Sequence, residues 1–468
     1  MSKKFEEILL EDVEVIDISS KGKGVCKDSS GKVIFVEGTV PGDKISLKIK
    51  RKKKNYFEGQ IVKILKPSRN RIIPKCEHFG LCGGCKLQNL SYEAQIEYKQ
   101  KQILHNLTYI SEMKIPKISR LKKAKEIYFY RNKMEFSFSE QRWLTKDELN
   151  GEKQNIIKKG LGFHKSGAWN KIIDIKNCHL QKDPSNSIRN SIREFGIEHN
   201  LKFFDHKLQK GFLRNLMIRT TSIGVMVLIQ FYKEDKNKRV QLMDHLIKNF
   251  LEIKSLLYCI NSKGNDTIYD QKIICYHGSD HIFEKIDDLK FKINAKSFFQ
   301  TNSNQILELY KIVLRFASLT KTEIVYDLYT GTGTIALFLA KYSKKVIGID
   351  SITEAIESAK ENTIENKIEN VFFELGDIKK IFNKDFIKRN GKANVVIVDP
   401  PRNGMHHKVI EELILLNPQK IIYVSCNSST QARDLKIFKS NYKLVKSKAI
   451  DMFPQTQHIE NVVLLEKI

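Results

Sequence analysis

The chain has 468 residues, with 81 Lys and Arg against 54 Asp and Glu, and a formal charge of +27. No stretch approaches the roughly 18 consecutive apolar residues that cross a bilayer, which excludes a helical integral membrane protein. The opening residues Ser2, Lys3, Lys4, Glu6 and Glu7 lack the apolar core of a secretion signal, so a cytoplasmic location is expected. A basic excess of this size fits an extended polyanion as partner, because neutralising phosphates dominates nucleic-acid affinity. The bland alternative is a Lys-, Ile- and Asn-rich composition of the kind AT-rich codons produce. Eight cysteines stand at 26, 76, 82, 85, 178, 259, 275 and 426. In a reducing compartment their clustering points to metal or catalysis rather than disulfides.

Residues 1–65 read as short strands punctuated by glycine turns at Lys21-Gly-Lys-Gly24, Ser30-Gly31, Glu37-Gly38, Pro41-Gly-Asp43 and Glu58-Gly59. This spacing predicts a small OB-like β-barrel. The basic run Lys48–Lys54 is followed by Tyr56 and Phe57, and cations beside aromatic faces suit single-stranded nucleic acid. A solvated charged strand is the plain alternative. Gly24, the strand Val33-Ile-Phe-Val-Glu-Gly38 and Pro41-Gly-Asp43 together resemble the TRAM domain of RNA-modifying enzymes.

The span 66–290 is expected to form a central α+β domain. It opens with Cys76-x5-Cys82-x2-Cys85, among Gly80, Gly83 and Gly84. Glycines let backbone wrap closely around a centre, and Cys178 is the natural fourth ligand. Zinc and an iron–sulfur cluster both accept four cysteines. The uneven spacing favours the cluster, with a structural or RNA-positioning role. His78 and His179 are read as neighbours rather than ligands. Residues 92–107 read as a helix, and the segment 92–110 is expected to lean on the C-terminal domain. Strands are predicted at 131–138, 160–163, 216–219 and 225–231, with Arg131, Lys133, Phe136, Phe163, His164, Trp169 and Arg214 interleaved. Basic and aromatic residues in this mixture suit splayed RNA bases, although a lone aromatic is more often core.

Residues 291–468 carry the densest chemistry. Three apolar runs end on Asp327-Leu-Tyr-Thr-Gly-Thr-Gly333, Asp399-Pro-Pro401 and Ser425-Cys426-Asn427. Apolar runs alternating with helical patterns predict a parallel, Rossmann-like α/β sheet, with ligands beyond its carboxyl strand ends. Glycines after the first strand and Asp350 after the second suit a nucleotide, with the acid on ribose hydroxyls. The turn lacks the third glycine of dinucleotide sites. That turn and the later strand ends resemble S-adenosylmethionine methyltransferases. Within such a family Asp399-Pro-Pro401 alone cannot choose the methylated atom, since a related Asp/Asn-Pro-Pro element serves amino-methyltransferases.

Cys426 can make that choice, because a thiolate adding to C6 of a pyrimidine activates C5. A helix predicted from Gln431, with Ser428, Ser429 and Thr430 as caps, is expected to lower the thiol's pKa. Glu460, opening a final antiparallel strand at Asn461–Leu465, is the expected proton acceptor.

Five segments then align in order with one family: Phe298-Phe-Gln-Thr-Asn302, Asp327-Leu-Tyr-Thr-Gly331, Val398-Asp-Pro-Pro-Arg402, Val424-Ser-Cys-Asn427 and His458-Ile-Glu460. With Tyr130-Arg-Asn-Lys133, they resemble the S-adenosylmethionine (AdoMet)-dependent RNA 5-methyluridine methyltransferases. The cysteine loop resembles that of their [4Fe–4S] branch. The resemblance implies cofactor contacts from Gln300, Tyr329, Asp350 and Asp399, with Asp377 toward the adenine. It also implies a nucleophile at Cys426, a proton acceptor at Glu460 and cluster ligands at Cys76, Cys82, Cys85 and Cys178. Ribosomal RNA, 23S in particular, is the expected substrate of a monomeric enzyme without an obligate protein partner. The alternatives are a transfer-RNA substrate, an amino-methyltransferase and a non-catalytic RNA-binding protein. Tyr329-Thr330-Gly331 departs from the Phe-Cys-Gly of many members but keeps an aromatic.

Overall fold

The computed structural model describes residues 8–150 and 156–468; the charged opening read at Ser2 to Glu7 lies outside the described residues. The N-terminal strands Leu9–Glu14, Asp17–Ile18, Gly24–Lys27, Val33–Val36, Lys44–Lys52 and Tyr56–Lys66 form one six-stranded sheet. Alternation along them buries Val15, Cys26, Ile34, Val36, Ile45, Leu47 and Ile49 in a core of their own. Cys26 is therefore core filler. The basic run forms a hairpin with Tyr56 and Phe57, and Lys32 Nζ sits 4.1 Å from the Phe57 ring centre.

The central sheet has seven strands, in the order Ala168–Asp174, Gly160–Lys165, Lys133–Ser139, Leu213–Thr220, Val225–Phe231, Ile253–Ile260 and Ile274–Gly278. Val225–Phe231 is buried at every residue because both faces are covered. One face takes helices Ser185–Glu198 and Lys236–Asn249 through Ile188, Ile192, Leu242 and Met243. The other presents Met217, Met226, Leu228 and Leu257 to the core that contains Ile306, Leu309 and Val313 of helix Ser303–Ala317. Each such side chain contributes roughly 1.5–3 kcal/mol when fully buried, so this continuous core couples the two domains firmly.

The C-terminal sheet has eight strands, in the order Val371–Leu375, Lys345–Asp350, Ile324–Leu328, Val395–Val398, Lys420–Ser425, Glu460–Lys467, Tyr442–Ile450 and Ser119–Lys122. The first five run parallel, and Glu460–Lys467 is antiparallel to both neighbours. The strand order reverses between Ile324–Leu328 and Val395–Val398, which opens the crevice where ligands bind in such sheets.

Two segments from before residue 291 pack against the C-terminal sheet. Helix Tyr92–Ile110 packs on helix Ser428–Phe438, burying Ile96, Ile103 and Leu107 in the catalytic core. Ser119–Lys122 pairs with Tyr442–Ile450. Both belong to the C-terminal domain because they cover an apolar helix face and a sheet edge that would otherwise be open. Among the described residues, no helix is long and apolar enough to cross a membrane.

Candidate active site

The glycine turn is built from left-handed backbone: φ is +64° at Tyr329, +56° at Gly331 and +77° at Gly333. A Cβ on Gly333 would meet the Phe373 ring at 2.6 Å, whereas one on Gly331 would face open space. Gly333 is thus required by packing, and Gly331 leaves the crevice clear. The Gly331 amide donates to Asp350 Oδ2 at 2.9 Å, and the Ile352 amide to Asp350 Oδ1 at 3.0 Å. These bonds fix the Asp350 carboxylate at its strand end while leaving lone pairs available.

Beneath the turn, Asp327 is 1% exposed; Thr330 Oγ1 donates to its Oδ2 at 2.6 Å, and Oδ1 has no partner. Burial pushes its carboxyl up to about 7. Tyr329, Asp377 and Pro401 line one cavity with Ser351, Met405 and Asp434. Gln300 is held from the central domain: its carbonyl accepts from Asn132 Nδ2 at 2.9 Å. The Tyr130–Lys133 segment therefore docks on Phe298–Asn302, with Asn132 N also donating to the Thr301 carbonyl at 2.8 Å.

Asp399 ends the next strand. Burial and then the charge of Asp327 raise its carboxyl to about 7. The loop that follows is tied to the Cys426 loop, because the Arg402 carbonyl accepts from Asn427 Nδ2 at 3.0 Å and Thr430 Oγ1 at 3.1 Å. The helix after Cys426 starts at Ser428, not Gln431, and its cap is Asn427, whose side chain accepts from the Ser429 amide. Ser428, Ser429 and Thr430 are its first turn. An Asn cap is as effective as the Ser or Thr expected there, and the shift brings Cys426 directly against the helix N-terminus.

Register sets the partner of Cys426. Ser425 pairs with Asn461, so Cys426 and Glu460 are the next opposed positions outward. Glu460 also pairs with Ile450 on its other side and is 3% exposed. The expected lowering of the Cys426 thiol is reversed: it is raised to about 11, by burial first, then by Glu460 and Asp399. Arg402 is the cation that opposes them. Burial and Asp399 likewise push Glu460 well above the usual carboxylate range. Like charges in one dry crevice resist ionising together, so the resting site favours neutral groups over a triple anion. The helix dipole, worth fractions of a kcal/mol to about 2 kcal/mol, does not outweigh burial plus two acids.

Cys76, Cys82, Cys85 and Cys178 line a cavity of about 560 Å³ that also reaches Phe298 and His458. Burial raises Cys82 to about 11 and Cys85 to about 12, with the neighbouring cysteines adding to both. His78 Nε2 accepts from the Lys176 amide at 3.0 Å, and His179 packs edge-on against Phe129. Among the described residues, no group of three or more His, Cys, Asp or Glu side chains could hold a metal ion as it stands. The four thiols share a wall without forming a ready single-ion site.

Arg402 was not singled out from sequence as a site residue, although it directly follows Asp399-Pro-Pro401. Its role becomes visible only when three loops are brought together.

A parallel sheet with this strand order, an antiparallel strand Glu460–Lys467 inserted between Lys420–Ser425 and Tyr442–Ile450, and an acid at the second strand end defines the AdoMet-dependent methyltransferase fold. The family profile described as tRNA (Uracil-5-)-methyltransferase matches residues 204–468, and that of the TRAM domain matches residues 10–62. An uncharacterized RNA methyltransferase of Bacteroides thetaiotaomicron is 46% identical over 453 residues, covering 96% of this chain and 100% of that one. Another, of Porphyromonas gingivalis, is 45% identical over 461 residues, covering 97% and 99%. Among solved structures, the Pyrococcus abyssi tRNA (uracil-54, C5)-methyltransferase in complex with S-adenosyl-L-homocysteine is similar, with a TM-score of 0.75. That similarity has 29% identity and covers 97% of this chain and 100% of that one. The chain belongs to the tRNA (uracil-5-)-methyltransferase family and is an RNA methyltransferase with an N-terminal TRAM domain.

Proposed function

We propose that this enzyme methylates C5 of a uridine in ribosomal RNA, 23S in particular, through a covalent bond from Cys426 to C6. The observation that carries the reading is the opposition of Cys426 and Glu460 across the sheet end, beside Asp399. Uracil C5 is a poor nucleophile until a thiolate adds to C6 and converts C5 into an enolate carbon. When bound, AdoMet supplies the electrophilic methyl group. Glu460, as its carboxylate, then removes the C5 proton, and re-forming the C5–C6 double bond expels the Cys426 thiolate. The target base must leave its stack to reach the crevice.

Gln300, Tyr329, Asp350 and Asp399 are the residues proposed to hold AdoMet, with Asp377 toward its adenine. The open space at Gly331, beside the Asp350 carboxylate, supports a ligand there. A [4Fe–4S] centre on Cys76, Cys82, Cys85 and Cys178 is part of the same reading. It is supported by four thiols converging on one cavity and by Gly80 at φ +85° in the loop. RNA is the macromolecular partner, met in part by the basic hairpin of the TRAM domain; the proposed enzyme is a cytoplasmic monomer.

Transfer RNA is the second reading, favoured by the likeness to a P. abyssi enzyme named for tRNA uracil-54. Labelled AdoMet is incubated with 23S ribosomal RNA and with transfer RNA, and the digested nucleosides are separated. 5-Methyluridine from ribosomal RNA supports the proposal, and its appearance in transfer RNA alone selects the second reading. An N-methylated base, or no product despite AdoMet binding, overturns both.

A further inference from the structure

The loop between strand Tyr442–Ile450 and strand Glu460–Lys467 has no regular structure of its own, yet five consecutive carbonyls in it are held from elsewhere. The Asp451 carbonyl accepts from Gln305 Nε2 at 3.0 Å and that of Met452 from Asn302 Nδ2 at 2.9 Å. The Phe453 carbonyl accepts from Lys99 Nζ at 3.2 Å and that of Pro454 from Tyr130 Oη at 2.9 Å. The Gln455 carbonyl accepts from the Lys86 and Leu87 amides, both at 3.0 Å. These two amides directly follow Cys85. Gln455 itself sits at φ +67°, and its side chain and amide both bond Gln95, at 3.0 and 3.1 Å. Lys99 also pairs with Asp451 Oδ1 at 2.7 Å, with Lys99 2% and Asp451 0% exposed.

A charged pair buried this completely contributes little net stability, and breaking it leaves a charge unpaired. Its value lies in fixing geometry. The loop delivers His458 to the cavity wall and Glu460 to the position opposite Cys426. We propose that Lys99, with Gln95, is a positioning residue: it locks the 451–459 loop so that Glu460 meets the C5 proton. Through Lys86 and Leu87, the cysteine loop then sets the placement of the proton acceptor. This inference rests on the reading of Cys426 and Glu460 given above.

The proposal predicts a fault confined to the step after methyl transfer. Lys99→Met and the milder, uncharged Gln95→Met are made in the full chain. Each is assayed for AdoMet affinity, for turnover and tritium release from C5-labelled RNA, and for the AdoMet-dependent adduct with 5-fluorouridine RNA. That adduct needs attack and methylation but no proton removal. In Lys99→Met, turnover and tritium release should fall on the order of 10- to 100-fold, as a small misplacement of a reacting group does. AdoMet affinity, KM for RNA and adduct yield should stay within about threefold of wild type. Gln95→Met should show the same pattern more weakly. Unchanged turnover in both variants overturns the proposal. So does a loss of adduct and AdoMet affinity in step with turnover, which marks a general structural role. A wild-type protein that forms no adduct overturns the underlying reading instead, and this inference with it.

Discussion

Replacing Glu460 by Gln should make Cys426 more reactive toward a small alkylating agent while it lowers methyl transfer. The thiol is raised from 9.0 to about 11, and Glu460 is the largest charge among the causes after burial. Two units correspond to on the order of 100-fold less thiolate at any pH below both values. Burial and Asp399 remain in the variant, so the gain in thiolate is part of that factor, about 3- to 30-fold. The sign is fixed by electrostatics: an anion beside the thiol disfavours a second anion, and the amide carries no charge. Because Glu460 itself ionises late, the two proteins should react alike at low pH and diverge once its carboxylate forms. The assay is the rate of iodoacetamide labelling at Cys426, followed by peptide mass mapping across pH without RNA. Labelling that is slower or unchanged in Glu460→Gln at every pH would refute the claim that the two groups share one field.

Other consequences concern the floor of the crevice and the cysteine loop. Asp327 is raised from 3.8 to about 7, so between those values the native state holds a proton that the unfolded chain has released, and stability falls as pH rises. Without cofactor, Asp327→Asn should therefore exceed wild type in stability above about pH 7, by up to a few kcal/mol at roughly 1.4 kcal/mol per unit, and converge with it near pH 4. Denaturant unfolding at the two pH values checks this. Gly333→Ala should lower Tm, because its Cβ strikes Phe373. Gly331→Ala should cost only about 1 kcal/mol for its positive φ but weaken AdoMet binding several-fold in calorimetry, since its methyl enters open space. Reconstitution with iron and sulfide should load about four irons per chain, and Cys178→Ser should fail to hold them; full loading of that variant would remove Cys178 from the ligand set.

The crevice was legible because ligand-binding residues in a parallel sheet sit where apolar runs end. Asp327, Asp399 and Cys426 each close a β-branched run, and the ladder then brings those ends together. Ser119–Lys122 was not legible: it is four residues with one buried side chain, Leu121, and its strand character comes from the edge it covers. Nothing local in the sequence marks Lys99 and Asp451, far apart along the chain, as a buried pair. The pKa of Cys426 went the other way from its expectation for a related reason. The helix dipole can be read from neighbours in sequence, but the opposing acids arrive from positions 399 and 460, and only folding reveals their weight.

The central claim is the covalent role of Cys426, and 5-fluorouridine-substituted RNA tests it most directly. Fluorine at C5 cannot leave as a proton does, so the enzyme should stall after methylation, still bonded to the RNA through sulfur. The account predicts a band of reduced mobility on a denaturing gel that requires AdoMet and disappears in Cys426→Ala, which should still bind both AdoMet and RNA. An adduct that persists in Cys426→Ala, or 5-methyluridine formed by that variant at the wild-type rate, would contradict it.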